Sequence, residues 1–452
     1  MGWIAGSAFV SDLRVVLAER DFRRLFSTRL ISQTGDGVFT AAVGTYVFFN
    51  ATTFPNPARG AAAFAVLYLP YSLIGPFAGV FIDRWSRRQI LVWSALLRSV
   101  FVVLTAAVMA ASNHGPLLYI AVLLVLGVNR FFLSSLSAAL PHVVAEDKLV
   151  MANSVSPTAG GIMAAIGGIV ALGVNAATGG TERGDAVTLL VAGGCYVAAS
   201  LVATAMQRDL LGPQRDPGEP PPGRLLGELA SVAAGLAAGA RYVVRRRGPG
   251  TALLATGGFR FLFGILFLMA ILLYRNSFYP SSVTRSEAHF ATLVTVSAVG
   301  YGCAALVIPP LTRRLAKRTC IALLLAASAV VTGALGETFA QIAFLLIGFC
   351  LYLAGQGIAI CATTILQEEV DDAFRGRTFS FYDVMFNVTY VAGAGLSAVF
   401  MPNTGRSPTI IGLVAIGYAV AAAGYWIVSR QPSADGEPGT SSPSSAAQSR
   451  SS

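Results

Sequence analysis

Charge is scarce in this chain. Asp, Glu, Lys and Arg make up 12% of its 452 residues, against roughly 25% in soluble globular domains. A soluble core of this size would have no surface to cover it, so a water-soluble globule is excluded. Histidine is scarcer still, at three residues, and the five cysteines (Cys195, Cys303, Cys320, Cys350 and Cys361) form no C-x-x-C pair. No metal-ligand spacing and no disulfide framework follow from them, and they read as small packing residues in apolar runs. No Walker-type phosphate loop occurs, which argues against direct ATP drive within the chain. Nothing in the pattern points to an enzyme, and no cofactor is expected. The start, "MGWIAGSAFVSDLRVVLAERDFRRLF", lacks a basic stretch followed by a long apolar one, so no cleaved signal peptide is expected.

What is present is apolar. Hydrophobic residues reach 55% and glycines number 47, with a mean hydropathy of +0.66. Glycine in such quantity suits close helix packing in lipid. A span needs about 20 mostly apolar residues, and twelve such stretches can be read: 25–49, 60–82, 89–111, 116–140, 153–177, 185–206, 250–274, 288–311, 319–337, 340–365, 378–401 and 408–429. The net charge of +10 sits in the short gaps between them, a topology signal and not a nucleic-acid face. One set of gaps holds Arg20, Arg23 and Arg24, then Arg84, Arg87 and Arg88, then Arg241 to Arg247, Arg313 to Arg318, and Arg375 with Arg377; the alternate set holds little beyond Arg59, Arg183, Arg275, Arg285 and Arg406. The positive-inside rule then puts both termini in the cytoplasm.

The organisation expected is a cytoplasmic N-terminal segment over 1–24, a six-helix bundle over 25–206, a central cytoplasmic loop over 207–249, a second six-helix bundle over 250–430, and a disordered cytoplasmic tail over 431–452. The loop opens as a Pro/Gly-rich linker and continues as "RLLGELASVAAGLAAGARYVVRRR", an amphipathic helix expected on the membrane face. A shift of 226 residues superposes the halves: Arg87 and Arg88 fall on Arg313 and Arg314, Ser154 on Ser380, and Thr34 on Arg260. Parallel halves of six spans are a transporter architecture, with the site between them near the midplane.

One loop carries a motif. "GVFIDRWSRRQIL" places Gly79, Asp83, Arg84, Arg87 and Arg88 between the second and third spans. Asp83 stands at the C-terminal end of its own helix, where the helix dipole disfavours an acid. It needs a positive partner, and the start of the eleventh span, around Arg377, lies at the same depth with its free N–H groups exposed. The motif resembles the G-x-x-x-D-R-x-x-R-R/K loop signature of the major facilitator superfamily, with Ser86 in place of the usual glycine. "FRRLFSTRLISQTGDGVFTAAV", "LPHVVAEDKLVMANSV" and "LQEEVDDAFRGRTFSFYDVMF" are similar to the exporter branch that includes enterobactin and macrolide efflux proteins. The resemblance implies an all-α fold of twelve transmembrane helices in two pseudo-symmetric bundles. It also implies that Gly79 lets the eleventh span approach and that Asp83 caps its start when the cytoplasmic side is closed. Arg84, Arg87 and Arg88 would then pair with Asp147, Glu368 or Asp371.

Ionisable residues at membrane depth are functional candidates. Asp36 in the first span, Arg98 in the third and Arg260 in the seventh lie near mid-depth, with Arg130 somewhat nearer the cytoplasm. Three readings compete for Asp36. It carries a coupling proton, since a carboxyl taken out of water holds its proton more readily; or it binds a cationic substrate group; or it is a fixed partner of Arg98, Arg130 or Arg260. The excess of arginine fits an anionic substrate instead. Asn129 precedes Arg130 in "GVNRFFLSS", a position resembling the arginine of superfamily antiporters. Gln33, Gln356, Asp383 and Asn387 are candidates to line a polar cavity.

The expectation is a proton-coupled exporter of a small amphipathic molecule, working by alternating access as a monomer in the bacterial inner membrane. Its partners are the substrate, protons and lipid, with no nucleic acid and no metal. A symporter or a flippase of lipid-like substrates is the alternative, and a non-transporting sensor is the third.

Overall fold

In lipid the backbone must satisfy its own hydrogen bonds, which leaves helices or closed barrels. Long apolar runs, without the two-residue alternation of a barrel strand, select the helix. The computed structural model describes residues 19–49, 57–58, 60–62, 65–66, 77, 85–111, 115–145, 149–179, 182–207, 210–211 and 225–430. Its helices are α1 (Arg20–Phe49), α2 (Arg87–Ala110), α3 (Pro116–Ala139), α4 (Leu149–Ala177), α5 (Glu182–Thr204), α6 (Leu225–Arg245), α7 (Arg247–Leu272), α8 (Val283–Arg314), α9 (Lys317–Gly336), α10 (Gln341–Glu369), α11 (Asp372–Phe400) and α12 (Pro408–Arg430). Local signals set several ends. Pro116 opens α3 after Gly115, Ser282 caps α8 by accepting from the Arg285 N–H, and α7 unwinds into a π-helical turn, Leu273–Phe278.

Among the described residues ten helices are long and apolar enough to cross a membrane. The predicted second span, 60–82, lies mostly outside the described residues. The predicted first span is α1, which falls short on composition because it carries Arg29, Gln33 and Asp36. Protein neighbours surround it: α4 and α5 pack along it. Large apolar side chains stand outward on the other helices, among them Trp93 (67% exposed), Leu254 (76%), Leu306 (76%) and Val399 (74%), the inverse of a water-soluble surface and the face a bilayer would cover.

Helix pairings repeat. α1 packs on α4 and α5 as α7 packs on α11 and α12; α2 packs on α5 and α3 as α9 packs on α12 and α10. Glycine sets the closeness of one repeated pair. A Cβ at Gly37 would run into the Ala164 carbonyl and one at Gly167 into the Thr34 carbonyl; in the other half the same pair of collisions is Gly264 on Tyr390 and Gly393 on Phe261. Gly167 and Gly393 stand 226 apart, as do Ala164 and Tyr390, but Gly37 and Gly264 stand 227 apart (264 less 37). The half-chain shift is therefore correct for α4 and α11 and one residue short for α1 and α7. Arg260 is the counterpart of Gln33, not of Thr34.

The amphipathic helix α6 packs on α11 and α7. Tyr242 stacks on Phe374 at 4.4 Å, its hydroxyl donates to Asp371 at 2.7 Å, and Gly239 lies against the backbone of Arg377. The start of α11 is thus covered by α6.

Candidate functional site

Arg98 is the most enclosed charge among the described residues. Its side chain is 0% exposed, and every partner lies on a helix other than its own. Nη1 donates to Asp36 on α1 at 2.8 Å and to Asn129 on α3 at 2.6 Å; Nη2 donates to Ser32 on α1 at 2.6 Å. The guanidinium also lies over the rings of Phe132 (4.3 Å) and Tyr196 (4.1 Å). A buried cation in lipid requires a counter-charge, and an arginine fork can reach two helices at once; the enclosed Nε of Arg98 has no partner among the described residues. Asp36 accepts a further bond from the Tyr196 hydroxyl at 2.8 Å and keeps 16% exposure where Arg98 keeps none. The pair is electroneutral, and what exposed surface it has lies on the acid. Tyr196 had no signal in the sequence, being one aromatic in an apolar span.

Arg29 was also missed. It stands two turns before Asp36 and reads as part of the basic approach to the membrane, yet it is 9% exposed. Its Nε donates to Gln33 at 3.0 Å and its Nη1 to Ser156 on α4 at 3.2 Å, both neutral groups. Gly160 gives this pair room, since a Cβ there would overlap the Gln33 amide oxygen.

In the other half, Arg260 is held by ring faces. Its guanidinium lies 3.9 Å from the Phe386 ring centroid, 4.2 Å from Tyr390 and 5.8 Å from Phe263, with one long bond of 3.5 Å from Nε to the Phe386 carbonyl. Asp383 on α11 lies within electrostatic reach of Arg130 on α3, in the other half. Asn387 donates to the Asp383 backbone carbonyl at 3.0 Å. Gln356 lies half-buried on α10, one turn from Tyr352. The structure thus joins Asp36, Arg98 and Asn129 in one hydrogen-bonded network, sets Arg130 within electrostatic reach of Asp383, and holds Arg260 among aromatic rings.

Of the predicted loop, Gly79, Asp83 and Arg84 lie outside the described residues, as does Asp147. Arg87 donates to the Leu211 carbonyl at 3.1 Å and meets the His142 ring at 3.1 Å; Arg88 donates to the Thr204 carbonyl at 2.7 Å. The acids proposed to receive these arginines are engaged elsewhere: Glu368 by Lys317 at 2.5 Å and Asp371 by Arg246 at 2.9 Å. At this basic end the described ion pairs stay within one half. At the opposite end the halves touch. Val47 packs against the cores of both halves, Tyr119 of α3 packs against the second core, and the Cβ direction of Gly60 meets Leu268 of α7 at 2.6 Å.

Comparison with known proteins agrees with this architecture. The sequence profile of the Major Facilitator Superfamily matches residues 276–450. Uncharacterized MFS-type transporters of Mycobacterium bovis and Mycobacterium tuberculosis are each 33% identical over 404 residues, which cover 88% of this chain and 89% of each relative. Among solved structures, the nucleoside transporter NupG superposes with a TM-score of 0.66 at 15% identity, over 90% of this chain and 99% of that one. A bacterial homologue of the human lysosomal transporter Spinster, inward-facing and unoccupied, superposes with a TM-score of 0.59 at 16% identity, over 93% and 97%. With two helix sets packed alike and relatives matched over most of its length, the chain belongs to the major facilitator superfamily and is a multi-pass membrane transporter.

Proposed function

We propose that the protein exports a small amphipathic molecule in exchange for protons, by rocking its two halves about a site at mid-depth in a bacterial inner membrane, with both termini cytoplasmic. The observation that carries proton coupling is the Asp36–Arg98 pair. Its acid keeps some exposed surface while its base is sealed behind it. A proton arriving on Asp36 removes the charge that Arg98 is paired with, while Asn129 and Ser32 keep their bonds. A charge-assisted hydrogen bond contributes about 1.5–3 kcal/mol, enough to change a two-state population by roughly tenfold or more. The ligands of Arg98 come from α1 and α3 and its aromatic cover from α3 and α5, so the loss is felt in the packing of those helices. Export as the direction, and a drug, siderophore or secondary metabolite as cargo, is supported by the three stretches similar to efflux proteins.

In proteoliposomes with an imposed pH gradient, tested against a panel of antibiotics and siderophores, Asp36→Asn is expected to lose gradient-driven transport while still exchanging substrate at equilibrium. Full gradient-driven transport by this variant would remove Asp36 from the coupling role.

Alternating access is supported by where the halves touch, at the end away from the basic loops. In a background with the five native cysteines replaced, the pair Gly60→Cys and Leu268→Cys is expected to form an oxidative cross-link. The linked protein should stop transporting and recover on reduction. Undiminished transport by fully cross-linked protein would mean that the halves do not part there.

A further inference from the structure

Arg260 raises a question that proton coupling leaves unanswered. Aromatic faces stabilise a guanidinium, but they occupy its flat sides and leave its edge donors unused. Arginine carries five N–H donors, and among the described residues the one hydrogen bond of Arg260 is the 3.5 Å contact from Nε. Its residue is half-buried, not sealed, and neither Nη is among the enclosed atoms that lack a partner. The nearest acid along α11, Asp383, feels Arg130. Tyr382 and Tyr418 also stand within electrostatic reach of Arg260, so the described groups around it are rings and not anions.

The collar continues into an apolar recess. Phe263 packs edge-on against Tyr352 at 5.1 Å and stacks with Tyr390 at 5.7 Å. Phe263 and Tyr352, with Phe267, Leu293 and Phe344, line a small, partly open recess between α7, α8 and α10, with a volume of about 30 Å³. Inside the described spans, away from their end residues, the charges are Arg29, Arg98, Arg130 and Arg260 against Asp36 and Asp383, four bases to two acids. A cation at membrane depth is costly without a counter-charge, and the cargo can supply one.

We propose that the cargo is an amphipathic anion. Its carboxylate, sulfonate or phosphate is held by the Nη donors of Arg260, and its apolar or aromatic body lies along the Phe263 and Tyr352 rings at the mouth of the recess. This deepens the transport reading given above and rests on it. It separates the two working charges by half: Asp36 and Arg98 handle the proton, Arg260 the substrate.

The test is equilibrium dialysis of the full-length protein in detergent, with no gradient, using three probes that share one ring system: naphthalene-2-carboxylate, 2-naphthalenemethanol and 2-naphthalenemethylamine. An arginine–carboxylate contact predicts that wild type binds the carboxylate about tenfold or more tighter than the alcohol, with the amine weakest. Arg260→Gln is expected to abolish the difference between carboxylate and alcohol, and Arg260→Lys to retain part of it. Equal binding of carboxylate and alcohol by wild type overturns the proposal, whatever the variants do. So does an undiminished preference in Arg260→Gln. Repeating the measurement in nanodiscs with and without phosphatidylglycerol identifies the source of the anion. Displacement of the probe by that lipid identifies a headgroup as occupant, and no displacement identifies a free solute. Because binding is read without a gradient, a failure of proton coupling in Asp36→Asn leaves this result intact, and the reverse also holds.

Discussion

Replacing Arg98 by alanine is expected to be the most damaging single substitution in the first half of the chain. The guanidinium fills a sealed space between α1, α2, α3 and α5, and its removal strands three acceptors at once: the Asp36 carboxylate, the Asn129 amide oxygen and the Ser32 hydroxyl. Breaking one side of a buried ion pair typically costs about 3–5 kcal/mol, and the void under Phe132 and Tyr196 adds to that. Size-exclusion profiles and melting curves of the purified protein in detergent should show loss of the monodisperse species or a large fall in Tm. Arg98→Lys keeps the charge but cannot fork to Asp36, Asn129 and Ser32 together, so it should fall between alanine and wild type. Arg313→Ala is the control, since Arg313 is exposed at the end of α8 and its loss should change Tm little. A wild-type melting curve for Arg98→Ala would mean that the network does not hold these helices together.

Gly393→Val should be comparably severe in the second half. The obstacle to a side chain there is the Phe261 carbonyl on α7, which is backbone and cannot swing aside as a long side chain could. α11 would have to move off α7, losing the reciprocal contact of Gly264 with Tyr390. Overpacking costs about 1–3 kcal/mol where side chains can adjust, and a backbone obstacle puts this case at the upper end or beyond. Gly395→Val provides the comparison, because a Cβ at Gly395 has no atom within 4 Å. Melting curves should separate the two variants clearly. Similar Tm values for both would mean that the α7–α11 approach is not glycine-limited.

The sequence was most legible where the physics is one-dimensional. Apolar length set the helices, and the alternation of arginine-rich and arginine-poor gaps is a property of the chain alone. It was less legible where two distant segments share an atom-scale contact. Asp36, Arg98 and Asn129 could each be picked out as polar residues at depth, but which of three arginines the acid would choose depended on the rotation of α2 about its axis. Tyr196 and Arg29 escaped for opposite reasons. The tyrosine looked apolar enough for lipid. The arginine lies about one turn inside the predicted first span, near its end rather than its middle, and is buried against Gln33 and Ser156. The one-residue drift between the halves was invisible to a single rigid shift, because loops absorb it and only the glycine contacts reveal it.

The attachment of α6 bears on how far the two halves can travel. Leu211 is fastened to the first half through its carbonyl bond to Arg87, and Leu225–Arg245 is docked on the second half through α11 and α7. Fourteen steps of chain separate Leu211 from Leu225, which at full stretch reach about 45–50 Å. The covalent connection therefore sets an upper limit of about 45–50 Å on how far Leu211 and Leu225 can separate as the two halves move.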